Sequence, residues 1–279
     1  MLKIIAAFDG LKFSESTKQY AFNLTKKTQS HLTGVFLDDR SYTSYKVYDL
    51  VFDQGVSEEK LKLLRKNDEL KRKKSADIFD LDSKKVGVNY NIHHDKNVAI
   101  QDLLHESVFA DLLIINFTES FTHYQEEYPT RFVRDLLSNT QCPVLLVPST
   151  YKAFDKLIFL YDGTPTSVYA LKMFNYLFSN FNNLPIEVIS IRSMESSLHL
   201  PDHKLIKELI NRHFSNATFT VLKGLPDEEI VQHLKAQQNT SLAILGAYRR
   251  TMLSRWFKSS MADTLIKKLD LPLFIAHNK

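Results

Sequence analysis

The sequence is poor in the residues that usually make a function easy to read. A single cysteine, Cys142, stands among 279 residues, which excludes an intrachain disulfide and fits a reducing compartment. Neither G-x-G-x-x-G nor G-x-x-x-x-G-K-[ST] occurs, so the dinucleotide fingerprint and the P-loop are both missing. Long apolar runs are also lacking. "LLII" at 112–115 is typical, far short of the ~20 residues a membrane span needs. The opening "MLKIIAAFDG" meets Asp9 after a run too short for a signal-peptide core, so a cytoplasmic protein with no membrane attachment is expected. A net charge of +4 in 32.3 kDa is too small to indicate nucleic acid as a partner.

What is present is a core and a repeat. Hydrophobic residues make up 44% and charged residues 24%, enough for packed, soluble structure. "KIIAAFDGLKFSESTKQYAFNL" (3–24) lines up with "KLIFLYDGTPTSVYALKMFNYL" (156–177), which places Asp9 and Asp162 in equivalent positions 153 residues apart. "ADLLIINFTES" (110–120) matches "SLAILGAYRR" (241–250), and "QCPVLLVP" (141–148) matches "DLPLFIAH" (270–277). Between these landmarks the second copy is 24 residues shorter. The extra length falls within 40–85, where "SEEKLKLLRKNDELKRKKSADIF" reads as a long charged helix. Its run Lys71-Arg72-Lys73-Lys74 reads as a solvated helix face beside balancing acids rather than as a nucleic-acid patch.

Short aliphatic runs alternate with helical patterns at 2–8, 31–37, 86–92, 111–116 and 143–147, and again at 157–161, 186–191, 217–222, 242–246 and 272–276. Unbroken aliphatic runs suit strands buried on both faces of a parallel sheet. The expected architecture is α/β: two tandem Rossmann-like domains, 1–150 and 151–279, each a five-stranded parallel sheet with helices on both faces. In such sheets the ligand crevice lies beyond the strand C-termini where strand order reverses. That point falls between the first and fourth strands of each copy, at Asp9 with Asn116 and at Asp162 with Gly246.

The element order, the aspartate after strand one, and "LGAYRR…SSMADTLIKKLDLPLFIA" resemble the universal stress protein (UspA-like) family in tandem form. That resemblance implies the adenine-nucleotide alpha-hydrolase-like fold, with the last strands, 143–147 and 272–276, pairing the two domains internally as a pseudo-dimer. The family motif is a glycine, two residues, a glycine, nine residues, then glycine and serine or threonine, and members that carry it bind ATP. Gly246 matches the first glycine, Arg249 stands at the second, Ser259 at the third, and Ser260 keeps the hydroxyl. By the same resemblance an ATP or AMP molecule in the second domain sits against Asp162, Thr164, Ile191, Gly246, Arg249, Ser259 and Ser260.

Each of these residues also has a plainer reading. Asp162 and Asp9 precede glycine and suit Asx turns or helix caps. Ser260 suits a helix N-cap with Asp263 in the first turn. Arg249 either obstructs the phosphate seat or supplies a charged fork in place of glycine amides. The first copy's loop, "NFTESFTHYQEEYPTRFVRDLL", has no glycine, and Glu119, Glu126 and Glu127 repel phosphate. His93-His94-Asp95 suits a surface turn better than a metal site, and Cys142 a packed thiol better than a nucleophile.

The leading expectation is a non-enzymatic stress-response module that binds a ligand or a protein partner and has degenerate nucleotide sites. The alternative is an ATP- or AMP-binding protein using the second domain, with slow or no hydrolysis. A hydrolase reading lacks a signature lysine or acid–base pair.

Overall fold

The computed structural model describes residues 1–39, 42–45, 57–195, 199–237, 239–246 and 261–278. Strands and helices alternate. The first half runs β1 (Lys3–Asp9), α1 (Glu15–Thr28), β2 (His31–Leu37), α2 (Glu58–Val86), β3 (Asn89–Asp95), α3 (Ala99–Ser107), β4 (Leu112–Asn116), α4 (Arg131–Asn139) and β5 (Val144–Val147). The second half runs β6 (Lys156–Leu160), α5 (Pro165–Leu177), a 3-10 turn (Ser179–Phe181), β7 (Ile186–Arg192), α6 (His203–His213), β8 (Ala217–Lys223), α7 (Pro226–Lys235), β9 (Ser241–Leu245), α8 (Met261–Lys268) and β10 (Leu273–Ile275).

The strands form one ten-stranded sheet in the order β3-β2-β1-β4-β5-β10-β9-β6-β7-β8. Every pairing within a half is parallel. The two halves meet where β10 pairs antiparallel with β5, setting Leu273 opposite Leu146, Phe274 opposite Leu145 and Ile275 opposite Val144. The expected pairing through the last strands is therefore present. Because alternate side chains face opposite ways, each sheet face carries its own core, and each core is continuous across both halves. One core packs α1, α2, α5 and α6 through residues such as Tyr20, Phe79, Phe174 and Ile210. The other packs α3, α4, α7 and α8 through Leu103, Leu136, Leu234 and Leu265.

The charged insertion is α2, 29 residues long against 11 for its counterpart α6. Its few apolar residues are well used. Phe79 is fully buried, and a Cβ on Gly34 of β2 would lie 2.6 Å from its ring, so glycine there makes room for the phenylalanine. Arg72 departs from the solvated face expected of residues 71–74. Lys71, Lys73 and Lys74 are exposed, but the Arg72 guanidinium turns inward and donates to the carbonyls of Asp38, Asp39 and Tyr42 at 2.9, 2.9 and 2.7 Å. Asp68 accepts from the backbone and hydroxyl of Ser44. The helix thus organises the backbone after β2.

The third strand was expected at 86–92 and lies three residues later. The helix runs on through Val86 and stops at Gly87, whose φ of 72° lets its N–H close on Ser83 and Lys84 carbonyls. His93 and His94 consequently lie in a strand, not a surface turn. They point to opposite faces and meet different acids, Glu106 at 2.7 Å and Asp38 at 2.9 Å. Cys142 is buried, as expected.

Beneath the second half sits a charged network. Buried Glu187 on β7 accepts from Lys156 at 2.6 Å, Thr220 at 2.8 Å and His233 at 2.8 Å. Burial alone would raise its pKa, but these three donors outweigh burial and bring the carboxyl down to about 2.

Two outcomes follow. Phe274 is fully buried at the junction and meets Phe174 edge-on at 5.3 Å, so Phe274→Ala should cost about 3–5 kcal/mol in denaturant unfolding; a loss below about 1 kcal/mol would show that the junction is not part of the core. Glu187 has a folded-state pKa below its ordinary 4.5, so its stabilisation is complete above that pH and is lost as pH falls toward 2. The stability difference between Glu187→Gln and the parent should accordingly shrink over that window, and a difference constant with pH would contradict the assignment.

Candidate functional site

In each half the strand order reverses between the first and fourth strands, which is where a ligand crevice of such a sheet lies, and the residues at the two points have diverged. In the second half the sheet register carries Asp162, Ile191 and Gly246 to one edge. Leu160 pairs with Ile189, which sets Asp162 level with Ile191 two residues on. Phe159 pairs with Ile244, which brings Gly246 beside Tyr161. Asp162 is exposed and forms the Asx turn, its Oδ1 accepting from the backbone N–H and hydroxyl of Thr164 at 2.9 and 2.7 Å. Thr164 in turn caps α5, accepting from Ser167 N–H. The plainer roles of both residues are therefore filled, with the second carboxylate oxygen of Asp162 left outside the turn.

Gly246 is fixed by packing. A Cβ there would lie 2.5 Å from the Thr166 carbonyl oxygen and 2.8 Å from Ser167 N, because the first turn of α5 presses on the strand end. No side chain fits at this point. Arg249, Ser259 and Ser260 lie outside the described residues.

The first-half crevice is built differently. The turn from Asp9 to the α1 cap, Ser14, is three residues longer than that from Asp162 to Thr164. At the strand end Asn116 replaces the glycine, its Oδ1 accepting from Thr118 N–H and hydroxyl at 2.9 and 2.7 Å. Asp9, only 2% exposed, accepts from Leu11 N–H at 2.8 Å, again an Asx turn. Around it stand buried Tyr42 and Glu119, with the Lys12 ammonium 5.3 Å from the centre of the Tyr42 ring.

Burial raises the carboxyl pKa of Asp9, the Leu11 amide, Lys12 and Arg72 opposing only in part. Glu119 is raised well above the ordinary range, chiefly by burial and further by the charge of Asp9, against the pull of Lys12. Burial works against the Lys12 ammonium, but its bond to Tyr42 and the nearby carboxylates prevail and raise its pKa. The helix start where a phosphate would rest is taken as well. Glu126 accepts from Arg131 N–H at 2.6 Å, and Thr130 caps the same helix by accepting from Val133 N–H at 3.2 Å. A carboxylate of the chain itself occupies the anion position at the start of α4. Glu127 reaches across to Lys267 in the other half at 3.1 Å.

Sequence reasoning placed Glu119, Glu126 and Glu127 as repellent to phosphate but missed how Glu126 acts, as a cap. It also missed Lys12 and Tyr42. Tyr42 follows β2 in a segment without periodic pattern, and its bond to Arg72 and its ring contacts with Phe121 and His123 place it here. Among the described residues no group of acids, histidines or cysteine is arranged to hold a metal ion, and no helix is long and apolar enough to cross a membrane.

No family model matches the chain, and no curated protein matches it. Solved structures do. A universal stress protein from Archaeoglobus fulgidus DSM 4304 superposes with a TM-score of 0.70 at 12% identity, covering 99% of this chain and 96% of that one. A putative universal stress protein from Pseudomonas aeruginosa UCBPP-PA14 gives 0.60 at 13% identity, covering 99% and 92%. At such identity the likeness establishes the fold. From end to end this chain has the Rossmann-like fold of these universal stress proteins, as the sequence resemblance implied.

The buried acids of the first half set a pH dependence. A carboxyl with a raised folded-state pKa contributes stability that is complete below its unfolded value and lost as pH rises through the folded one. Glu119→Gln removes that loss. It should be more stable than the parent at pH 7–8 and equal to it below the ordinary value of 4.5; chemical denaturation across pH checks this, and a variant less stable at pH 8 would show that Glu119 works as a needed anion.

Proposed function

We propose that this chain is a tandem universal stress protein that acts by binding a ligand or a protein partner rather than by catalysis, and that its two nucleotide sites have degenerated to different degrees. The observation that carries this reading is the first-half crevice. Buried Asp9 and Glu119, with Lys12 and Tyr42, fill its floor, while Glu126 takes the helix start. A nucleoside triphosphate entering there meets buried carboxyl groups and finds the amide of Arg131 already satisfied. Desolvating more negative charge beside them is unfavourable.

A second reading has its own support. At the edge formed by Asp162, Thr164 and Gly246, Asp162 is exposed and one of its carboxylate oxygens lies outside the turn. A carboxylate there accepts from an adenine amine or a ribose hydroxyl, so the second half is the place for ATP or AMP. In this second reading hydrolysis is slow or absent, since the Asp162 carboxylate is engaged in a turn and no acid–base pair accompanies it among the described residues of that edge.

Calorimetry with ATP and with AMP separates the two. Absence of heat at millimolar nucleotide supports the partner-binding reading. Micromolar affinity that is lost in Asp162→Ala and unchanged in Asp9→Ala supports nucleotide binding by the second half and overturns full degeneration.

A further inference from the structure

The second half holds a cavity of about 400 Å³ next to the edge just described, between the start of α5 and the length of α6. None of Asp162, Thr164, Ile191 or Gly246 lines it. Its walls are apolar and aromatic, from Tyr161, Val168 and Tyr169 on one side to Ile206 and Leu209 on the other. Two charged groups stand among them, Lys172 and Asp202. An apolar pocket with a few placed polar groups is the usual form of a small-molecule site.

Asp202 is unusual in two ways. It occupies the N-cap position of α6, where aspartate normally accepts from its own helix, yet its side chain makes no capping bond. Its φ of 43° is left-handed, a conformation that among non-glycine residues asparagine and aspartate adopt most readily. Pro201, just before it, packs over Gly163, where a Cβ would meet the proline ring at 2.7 Å, and receives the Tyr161 hydroxyl on its carbonyl at 3.1 Å. The turn is thus braced from both sides, and it places Asp202 at once at the helix start and on the cavity wall. Lys172 and Asp202 are both exposed at the cavity rim, and neither has an ion-pair partner among the described residues.

The first half suggests what kind of group rests on this strand end. Phe8 is the counterpart of Tyr161 in the repeat, and the ring of Phe13 stacks on it at 5.0 Å, with Lys18 5.8 Å from the centre of that ring. Phe13 belongs to the longer turn of the first half. The shorter turn after Asp162 supplies no such ring.

We propose that this cavity is a binding site for a free amino acid with an aromatic or branched side chain. The carboxylate pairs with Lys172, the ammonium pairs with Asp202, and the side chain enters between Tyr161, Val168 and Ile206. An apolar body with one charge of each sign is the complement of this lining. The charge pairs give orientation and the apolar walls most of the affinity.

Calorimetric titration of the full chain with L-phenylalanine tests this. Saturable binding is expected, with phenethylamine and 3-phenylpropionate, which each lack one charge, weaker by about tenfold or more. Lys172→Ala and Asp202→Asn should each weaken L-phenylalanine to a similar degree, while Asp162→Ala leaves it unchanged, so this site and the nucleotide edge stand or fall separately. The proposal is overturned if neither L-phenylalanine nor L-leucine binds saturably, if the singly charged analogues bind as well as the amino acid, or if both substitutions leave affinity intact. The analogue comparison uses unaltered protein and does not depend on any variant folding.

Discussion

Everything in this molecule is arranged around three opposed residue pairs, Leu273 with Leu146, Phe274 with Leu145 and Ile275 with Val144. They join β10 to β5, and they do so antiparallel. Since the other strands of each half run parallel to its own member of this pair, the two halves point in opposite directions. Their C-terminal edges, and hence their crevices, open at opposite borders of the sheet. One ligand cannot span both. The same pairing makes the cores continuous, so α1 and α2 share a hydrophobic layer with α5 and α6. Separation of the halves would uncover that layer along its whole width. The crevices are thus free to diverge while the sheet holds them in one body.

Divergence has a visible cause in the first half. The long α2 could be added only where β2 offers a glycine, Gly34, for Phe79 to enter. Once seated, it presents Arg72 to three carbonyls after β2 and Asp68 to Ser44. These bonds settle the backbone that carries Tyr42 against Lys12. In the second half α6 is short, it makes no such bonds to the backbone after β7 among the described residues, and a cavity lies beside Tyr161. The insertion thus sets the backbone that brings Tyr42 to the first-half crevice, a contribution that the shorter α6 does not make in the second half.

The fold was legible in the sequence because its signals are redundant. Ten aliphatic runs, the 153-residue offset of Asp9 and Asp162, and the paired prolines before the last strands all point to the same sheet. The error at the third strand is instructive: Val86 and Val88 look like strand residues, but Gly87 between them is a helix terminator, and the strand starts beyond it. The site was less legible. The positions of Asp162, Thr164 and Gly246 could be read from the sequence because each lies at a strand end or helix start, where local sequence has geometric meaning. Glu126, Lys12, Tyr42 and Asp202 act through partners distant in the chain or through an unusual backbone angle. Neither leaves a mark in residue spacing.

The two halves share one further charged position, the lysine that opens the first strand of each. Lys3 opens β1 and Lys156 opens β6, equivalent positions in the two copies. Lys3 lies 3.5 Å from Glu106, which also meets His93 at 2.7 Å. Lys156 lies 2.6 Å from Glu187, which also meets His233 at 2.8 Å. In the first half the glutamate is on a helix and the histidine on a strand; in the second the placement is reversed. What has been kept is a lysine–glutamate–histidine triad beneath the sheet, not the residues at fixed positions. A half-buried lysine needs a carboxylate, and either element can supply it so long as the charge is met. No such exchange is open at the crevice edge after β9, where α5 leaves Gly246 no room for a side chain. The degree of freedom at each position follows from what its neighbours demand. Charge balance tolerates exchange between helix and strand, and close backbone approach does not.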